Sequence, residues 1–195
     1  MNSNQQISDY IYYYPQVLGP TACDNLIAHY NKDTFMRWKT STFSTTNTVT
    51  GTSKVDMKEF WIGPNMFGYQ TIKQGFETAV NDYIKAHNKI KIQEYTHFRI
   101  NCYETGGFMK EHIDNIHHSH GQKQGYPHLT SLIFLNDDYE GGEFQIKTGR
   151  ENYIPPHQES GNILFFPTYL VHRVTLVTRG TRSVIVGWVH GNSFV

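Results

Sequence analysis

At 195 residues and 22.6 kDa, with 38% hydrophobic and 14% aromatic side chains, the chain can bury one sizeable core but hardly two, so a single domain is expected. Seventeen Lys and Arg balance seventeen Asp and Glu, which leaves no net field to draw the protein to nucleic acid or an acidic membrane. Two cysteines, Cys23 and Cys102, are too few for a secreted disulfide framework; the opening MNSNQQISDY has no leader-like apolar run, and no stretch reaches the ~18 apolar residues of a membrane span. A cytoplasmic protein with reduced thiols is expected. Eleven histidines in a chain of low charge raise the question of metal ligation.

In chain order, Ile7 to Tyr14 reads as a strand, and Pro20-Thr21 opens a helix in which Thr21 and Asp24 have capping-box spacing and Leu26, Ile27 and Tyr30 form the apolar face. The Thr- and Ser-rich stretch from about 40 to 56 predicts an exposed loop or a weak edge hairpin. After Pro64, the residues Ile72, Phe76, Val80, Tyr83, Ile84 and His87 fall at helical spacing and predict a second amphipathic helix, with His87 an ordinary helix-face residue. From about Tyr95 the texture changes to short β-branched and aromatic runs between turn residues. The expected strands are His97–Tyr103, Gly107–Asp114, His128–Asn136, Glu143–Ile146, Ile163–Phe166, His172–Val177 and Arg182–Val189. The fold class is α+β, mainly β, a sandwich or jelly roll with helices laid against one sheet. N-terminal helical support is expected over about 1–94 and the β core over about 95–195.

His112 and Asp114 form a His-x-Asp pair whose side chains share one strand face, ~7 Å apart along the chain, so both can reach one ion. Such a pair arises by chance about half a time in a chain with this many His and Asp, so it carries little alone. A second imidazole would complete a two-histidine, one-carboxylate facial triad that leaves Fe(II) three open positions. His128, His157, His172 and His190 are available downstream. His172 is preferred because it begins a strand and Arg182 follows ten residues later. Arg182 shares strand parity with Val184, Val186 and Trp188, so its guanidinium faces an apolar interior, where the distal carboxylate of an iron-chelating dicarboxylate would pair with it bidentately.

These residues resemble the 2-oxoglutarate oxygenases of the prolyl-hydroxylase family over nearly the whole chain. Tyr103-x-x-Gly106-x5-His112-x-Asp114, Leu135-Asn136 with Gly141-Gly142-Glu143, and then His172, Gly180-x-Arg182 and Trp188 follow the family pattern in order, and Leu18, Cys23-Asp24 and Leu26-Ile27 resemble its leading helix. The resemblance implies a cupin-like double-stranded β-helix holding Fe(II) on His112, Asp114 and His172. It further implies 2-oxoglutarate on Arg182 with Tyr103, Thr130 and Trp188 beside it, O2 as oxidant, ascorbate as an accessory reductant, and a proline-containing peptide or protein as substrate, hydroxylated with release of succinate and CO2. Arginine rather than lysine at position 182 places the chain nearer the oxygen-sensing and bacterial enzymes. Two positions depart from the relatives: Phe134 replaces a tyrosine that helps hold the distal carboxylate, at a cost of about 1.5–3 kcal/mol, and Met109 replaces an aromatic.

The stretch 115–127 is long for a hairpin loop and is expected to border the site as a lid or binding loop, with His117, His118 and His120 facing solvent or substrate rather than forming a second metal site. Trp38, Trp61 and Tyr139 offer surfaces for a substrate proline, with packing as the simpler reading; Arg150 reads as a solvated turn residue near the mouth. Against a nucleobase-repair dioxygenase stand the neutral charge and Trp188, where that pattern carries a second arginine. The remaining alternatives are an oxygenase of small molecules or free amino acids, and a non-catalytic cupin-like metal-binding module.

Overall fold

A computed structural model describes residues 7–32, 39–40, 55–87, 92–114, 129–148, 151–153 and 158–191. After a 3-10 turn at Ile7–Tyr10 come strand β1 (Tyr12–Tyr14), helix α1 (Pro20–Lys32), β2 (Lys39–Thr40), β3 (Val55–Asp56), β4 (Lys58–Ile62) and helix α2 (Tyr69–Ala86). The remainder is β5 (Ile92–Tyr95), β6 (Phe98–Tyr103), β7 (Phe108–His112), β8 (Leu129–Phe134), β9 (Glu140–Gly141), β10 (Phe144–Thr148), β11 (Glu151–Tyr153), β12 (Ile163–Pro167), β13 (His172–Val174), β14 (Val177–Arg179) and β15 (Arg182–Gly191). The protein is mainly β, with all strand pairings among the described residues antiparallel. The large sheet runs β1-β12-β8-β15-β6-β4-β2 with β5 also on β15, the small sheet runs β11-β10-β13-β7-β3, and β9 pairs with β14.

The central strands β6, β8 and β12 are buried at every residue rather than at alternate ones because both faces of the large sheet are covered. One face packs on the helices: Ile133 and Leu135, Phe98 and Ile100, and Ile185 and Val189 join Leu26 and Tyr30 of α1 and Ile72, Phe76, Ala79 and Tyr83 of α2. The opposite face meets the small sheet. Leu132, Phe134, Leu164, Phe166, Val184 and Val186 pack with Met109, Phe144, Ile146 and Val174. Between the two sheets the polar residues of the site are enclosed.

Several boundaries differ from the sequence reading. The stretch from Ile7 divides into a 3-10 turn and the three-residue β1. The first helix starts at Pro20, with the Gly19 carbonyl accepting from the amides of Ala22 and Cys23; Thr21 therefore lies inside the first turn, not at the cap. His87 is the C-cap of α2, its amide donating to the Tyr83 carbonyl and its ring packed on Tyr10 and Tyr83. The expected strand His172–Val177 is broken after Val174, where Thr175 turns to bond Glu143 and Leu176 is exposed. The residues before 95 are not only helical support: β1, β2, β3, β4 and β5 extend both sheets. Of the polar stretch 40–56, the described ends lie at sheet edges, β2 on β4 and β3 on β7.

Gly75 marks where α2 meets the chain before α1. A Cβ there would lie 2.4 Å from the Val17 carbonyl oxygen. That segment cannot easily yield, because the Leu18 amide donates to the Gly161 carbonyl at 3.1 Å and the Gln16 amide to Asn162 Oδ1 at 2.8 Å. Gly75→Ala, a change that favours an exposed helix by ~1 kcal/mol, is therefore expected to destabilise the protein by about 1–3 kcal/mol. Urea unfolding checks this; an unchanged or raised midpoint would refute the close packing.

Candidate functional site

β7 and β13 are neighbours, and their register puts His112 directly opposite His172. The imidazole centroids are 4.1 Å apart. Asp114 lies just past the end of β7, held by its amide donating to the Thr168 carbonyl at 2.9 Å. Its Oδ1 is 3.5 Å from His112 Nε2 and 3.6 Å from His172 Nε2. One ligand atom from each of the three residues lies within 4.8 Å of the others, as one ion requires.

Hydrogen bonding fixes what those atoms offer. His112 Nδ1 lies 2.8 Å from the Lys110 carbonyl and His172 Nδ1 lies 2.9 Å from that of Leu170. A carbonyl only accepts, so each Nδ1 carries the proton and each Nε2 presents a lone pair. Asp114 Oδ2 is taken up: it accepts from the Thr130 hydroxyl at 2.7 Å and from the Trp188 indole at 3.1 Å. Thr130 and Trp188 are cross-strand partners on β8 and β15, so the large sheet grips the carboxylate that the small sheet presents. What remains is Oδ1 and two imidazole lone pairs converging with no proton between them. Three such acceptors repel one another unless a cation lies among them, and two nitrogens with one carboxylate oxygen suit Fe(II). Burial and the neighbouring His172 push the pKa of His112 below its ordinary value. Burial alone would raise that of Asp114, but His172 and the contacts with His112 outweigh it and hold the carboxyl well below the usual range.

A second feature lies at the other end of the same enclosure. Arg182, at the start of β15, is 0% exposed, and its Nε, Nη1 and Nη2 have no hydrogen-bond partner among the described residues. Its cross-strand neighbour Tyr103 lies beneath it, the guanidinium carbon 5.2 Å from that ring and 5.9 Å from the ring of Phe134. Burial raises the Tyr103 phenol, against the opposing pull of Arg182. The Leu-Asn and Gly-Gly motifs explain how Arg182 is placed. Asn136 Nδ2 donates to the Thr181 carbonyl at 2.6 Å and its Oδ1 accepts from the Ser183 amide at 2.8 Å, pinning the backbone on both sides of the arginine. Gly142, at φ 67°, makes room for the stem, since a Cβ there would lie 3.1 Å from Arg182 Cδ.

His112, Asp114, His172, Tyr103, Thr130, Arg182 and Trp188 thus all line one cavity. The resemblance implies Thr130 and Trp188 beside a cosubstrate; both bond the metal carboxylate. Sequence reasoning missed Arg99 and Asn101 in the cavity wall, although both share strand parity with Tyr103. Met109 lines the cavity as well, whereas Tyr139 does not and Trp61 packs against Trp188. His190 lies on β15 outside the triad. Trp38, the stretch 115–127 with its three histidines, His128, Arg150 and His157 lie outside the described residues.

Two histidines and one carboxylate that could hold a metal ion thus share an enclosure with a buried arginine that has no hydrogen-bond partner among the described residues, between two antiparallel sheets. Residues 98–190 match the model of the 2OG-Fe(II) oxygenase superfamily. The chain is 38% identical over 94 residues to a PKHD-type hydroxylase of Synechococcus sp. (strain CC9311), covering 47% of this chain and 40% of that one. It is 37% identical over 98 residues to a PKHD-type hydroxylase of Pseudomonas fluorescens, with 46% and 41% covered. It therefore spans well under half the length of these curated relatives. Among solved structures, a Pseudomonas putida prolyl-4-hydroxylase superposes with a TM-score of 0.69 at 14% identity over 94% of this chain and 93% of that one. A Trichoplax adhaerens prolyl hydroxylase, solved with a hypoxia inducible factor peptide fragment, gives 0.70 at 16% identity over 93% and 84%. The family match thus covers residues 98–190, which carry His112, Asp114, His172 and Arg182, and the likeness to the solved prolyl hydroxylases is one of fold. No helix among the described residues is long and apolar enough to cross a membrane.

Asp114→Ala is expected to abolish stoichiometric metal binding. Thr130→Val, which removes one of the two donors to Oδ2, is expected to weaken it by ~10-fold. Calorimetric titration with Ni(II) as a redox-inert probe measures both, and wild-type affinity in either variant would refute the assigned contact.

Proposed function

We propose that the protein is an Fe(II)- and 2-oxoglutarate-dependent dioxygenase that hydroxylates prolyl residues of a peptide or protein, on a double-stranded β-helix formed by the two sheets of a single domain. The observation that carries this reading is Arg182. A buried guanidinium without a partner costs several kcal/mol, and a carboxylate is the group whose geometry answers it bidentately. A metal-only module has no use for such a residue.

Bound at the triad, Fe(II) would supply the redox centre at which O2 oxidises 2-oxoglutarate to succinate and CO2 and inserts its second oxygen into a substrate C–H bond. The chain's own part is positional. His112 and His172 present Nε2 lone pairs, and Asp114 presents Oδ1 while Thr130 and Trp188 hold Oδ2. Arg182 takes the distal carboxylate, over the ring of Tyr103. Leu132, Phe144, Val174, Val184 and Val186 wall the space between the two ends and keep bulk water from the reacting atoms. Phe134 offers the carboxylate no hydroxyl, so Arg182 carries more of its binding than where a tyrosine helps. The prolyl substrate is supported by the PKHD-type relatives and by the peptide-bound neighbour. Ascorbate is the proposed reductant. Two buried free thiols, Cys23 and Cys102, suit a reducing cytoplasm.

Two measurements test this. Succinate release should be stimulated by proline-rich peptides; release that no peptide stimulates would send the assignment to small-molecule substrates. Arg182→Met should raise the 2-oxoglutarate requirement on the order of 100-fold and also raise the melting temperature of the ligand-free protein, because an apolar chain replaces an unpaired buried charge. An unchanged 2-oxoglutarate dependence would sink the role of Arg182.

A further inference from the structure

The cavity holds a second buried guanidinium, provided for in the opposite way from Arg182. Arg99 on β6 is 5% exposed, and its Nη1 lies 3.2 Å from Oε2 of Glu59 on β4, whose side chain is 12% exposed. Arg99 thus has an internal counter-charge, although its Nε and Glu59 Oε2 make no hydrogen bond of good geometry among the described residues. Its guanidinium carbon lies 4.8 Å from the centre of the Trp188 ring and 5.7 Å from that of Trp61, its cross-strand neighbour. The two indoles are in contact, their centroids 5.9 Å apart. A desolvated cation over an indole face is held there by the ring's quadrupole. The far end of the same Trp188 indole donates to Asp114 Oδ2 at 3.1 Å.

Contacts therefore run without a gap from Glu59 through Arg99 and Trp188 to the metal carboxylate. We propose that Arg99 and Glu59 are positioning residues for the metal centre: they fix the Trp188 indole so that its N–H holds Asp114 Oδ2 and leaves Oδ1 alone to face the two histidines. Without that hold Thr130 alone restrains Oδ2, and the carboxylate rotates more readily to offer both oxygens. Arg99 touches no reacting atom. Glu59 and Trp61 both lie before residue 98, outside the segment that matches the superfamily model. The inference rests on His112, Asp114 and His172 being the metal site.

The test is titration of metal-free wild-type, Arg99→Met, Arg99→Lys and Glu59→Gln proteins with Co(II), reading affinity by calorimetry and the cobalt ligand-field bands in the visible. Arg99→Met is expected to weaken binding by up to about tenfold and to shift the bands, as a carboxylate changing from one oxygen to two would. Arg99→Lys keeps a cation over the indole and is expected to bind within about twofold of wild type with unshifted bands. Glu59→Gln is expected to follow Arg99→Met. Wild-type affinity and bands in Arg99→Met overturn the proposal and make Arg99 a substrate contact or plain packing. Should that variant fail to fold, an unchanged Glu59→Gln overturns it equally. Absence of Co(II) binding by the wild type itself would instead refute the metal site on which the proposal rests.

Discussion

The Asp114 carboxylate is the group on which the two sheets depend in common. It hangs from the end of a small-sheet strand, yet Oδ2 is bonded by Thr130 and Trp188 of the large sheet. Burial alone would favour its protonated form; His172 and His112 hold it ionised, and the two donors replace part of the hydration lost at Oδ2. Those donors consume one oxygen and turn the other toward His112 and His172. Because each imidazole spends its Nδ1 proton on a backbone carbonyl two residues upstream, both Nε2 atoms and Oδ1 face a common point, the arrangement the proposed metal site needs.

Arg182 follows the same logic at the opposite end of the enclosure. Its backbone is pinned by Asn136, its stem passes over Gly142, and its charge is surrounded by Tyr103 and Phe134. The aromatic rings offset only part of the cost of the charge, and the pinned backbone prevents the side chain from escaping to water. A sequence that departs from good core packing at one position while fixing that position this firmly is organised for a ligand. Arg99 shows the alternative that was open to Arg182, a guanidinium at similar depth neutralised by an internal carboxylate. The difference between them separates a residue that binds from one that holds.

The sequence makes much of this legible, but unevenly. Period-two parity puts Arg182 with Val184, Val186 and Trp188 on the inner face, and the sequence reading singles out His112, Asp114 and His172, which the structure brings together, because these facts concern residues near one another or at the start of a strand. Register between distant strands is not legible in the same way. That Trp188 lies opposite Thr130 depends on the pairing of β15 with β8, and only this pairing shows that both residues serve Asp114 rather than the cavity wall alone. The short β4, with Lys, Glu and two aromatics in five residues, has neither the β-branched content nor the alternation that marks a strand, so Glu59 and Trp61 carry no signal. The break after Val174 is hidden because β-branched residues continue through it, and the turn is made by Thr175 bonding to Glu143.

The residues before 98 therefore touch the surroundings of the candidate site as well as building the scaffold. α1 and α2 cover the outer face of the large sheet, and without them Phe98, Ile100, Ile133 and Ile185 would face water. That contribution is hydrophobic and any well-packed helix pair could make it. β4 contributes something more specific, since its Glu59 neutralises Arg99 and its Trp61 lies against Trp188. Removing β4 would leave Arg99 as a second buried cation with no partner, beside the indole that bonds the metal carboxylate. Similarity to the PKHD-type relatives extends over under half of the chain, whereas the matching fold of the solved prolyl hydroxylases extends over nearly all of it.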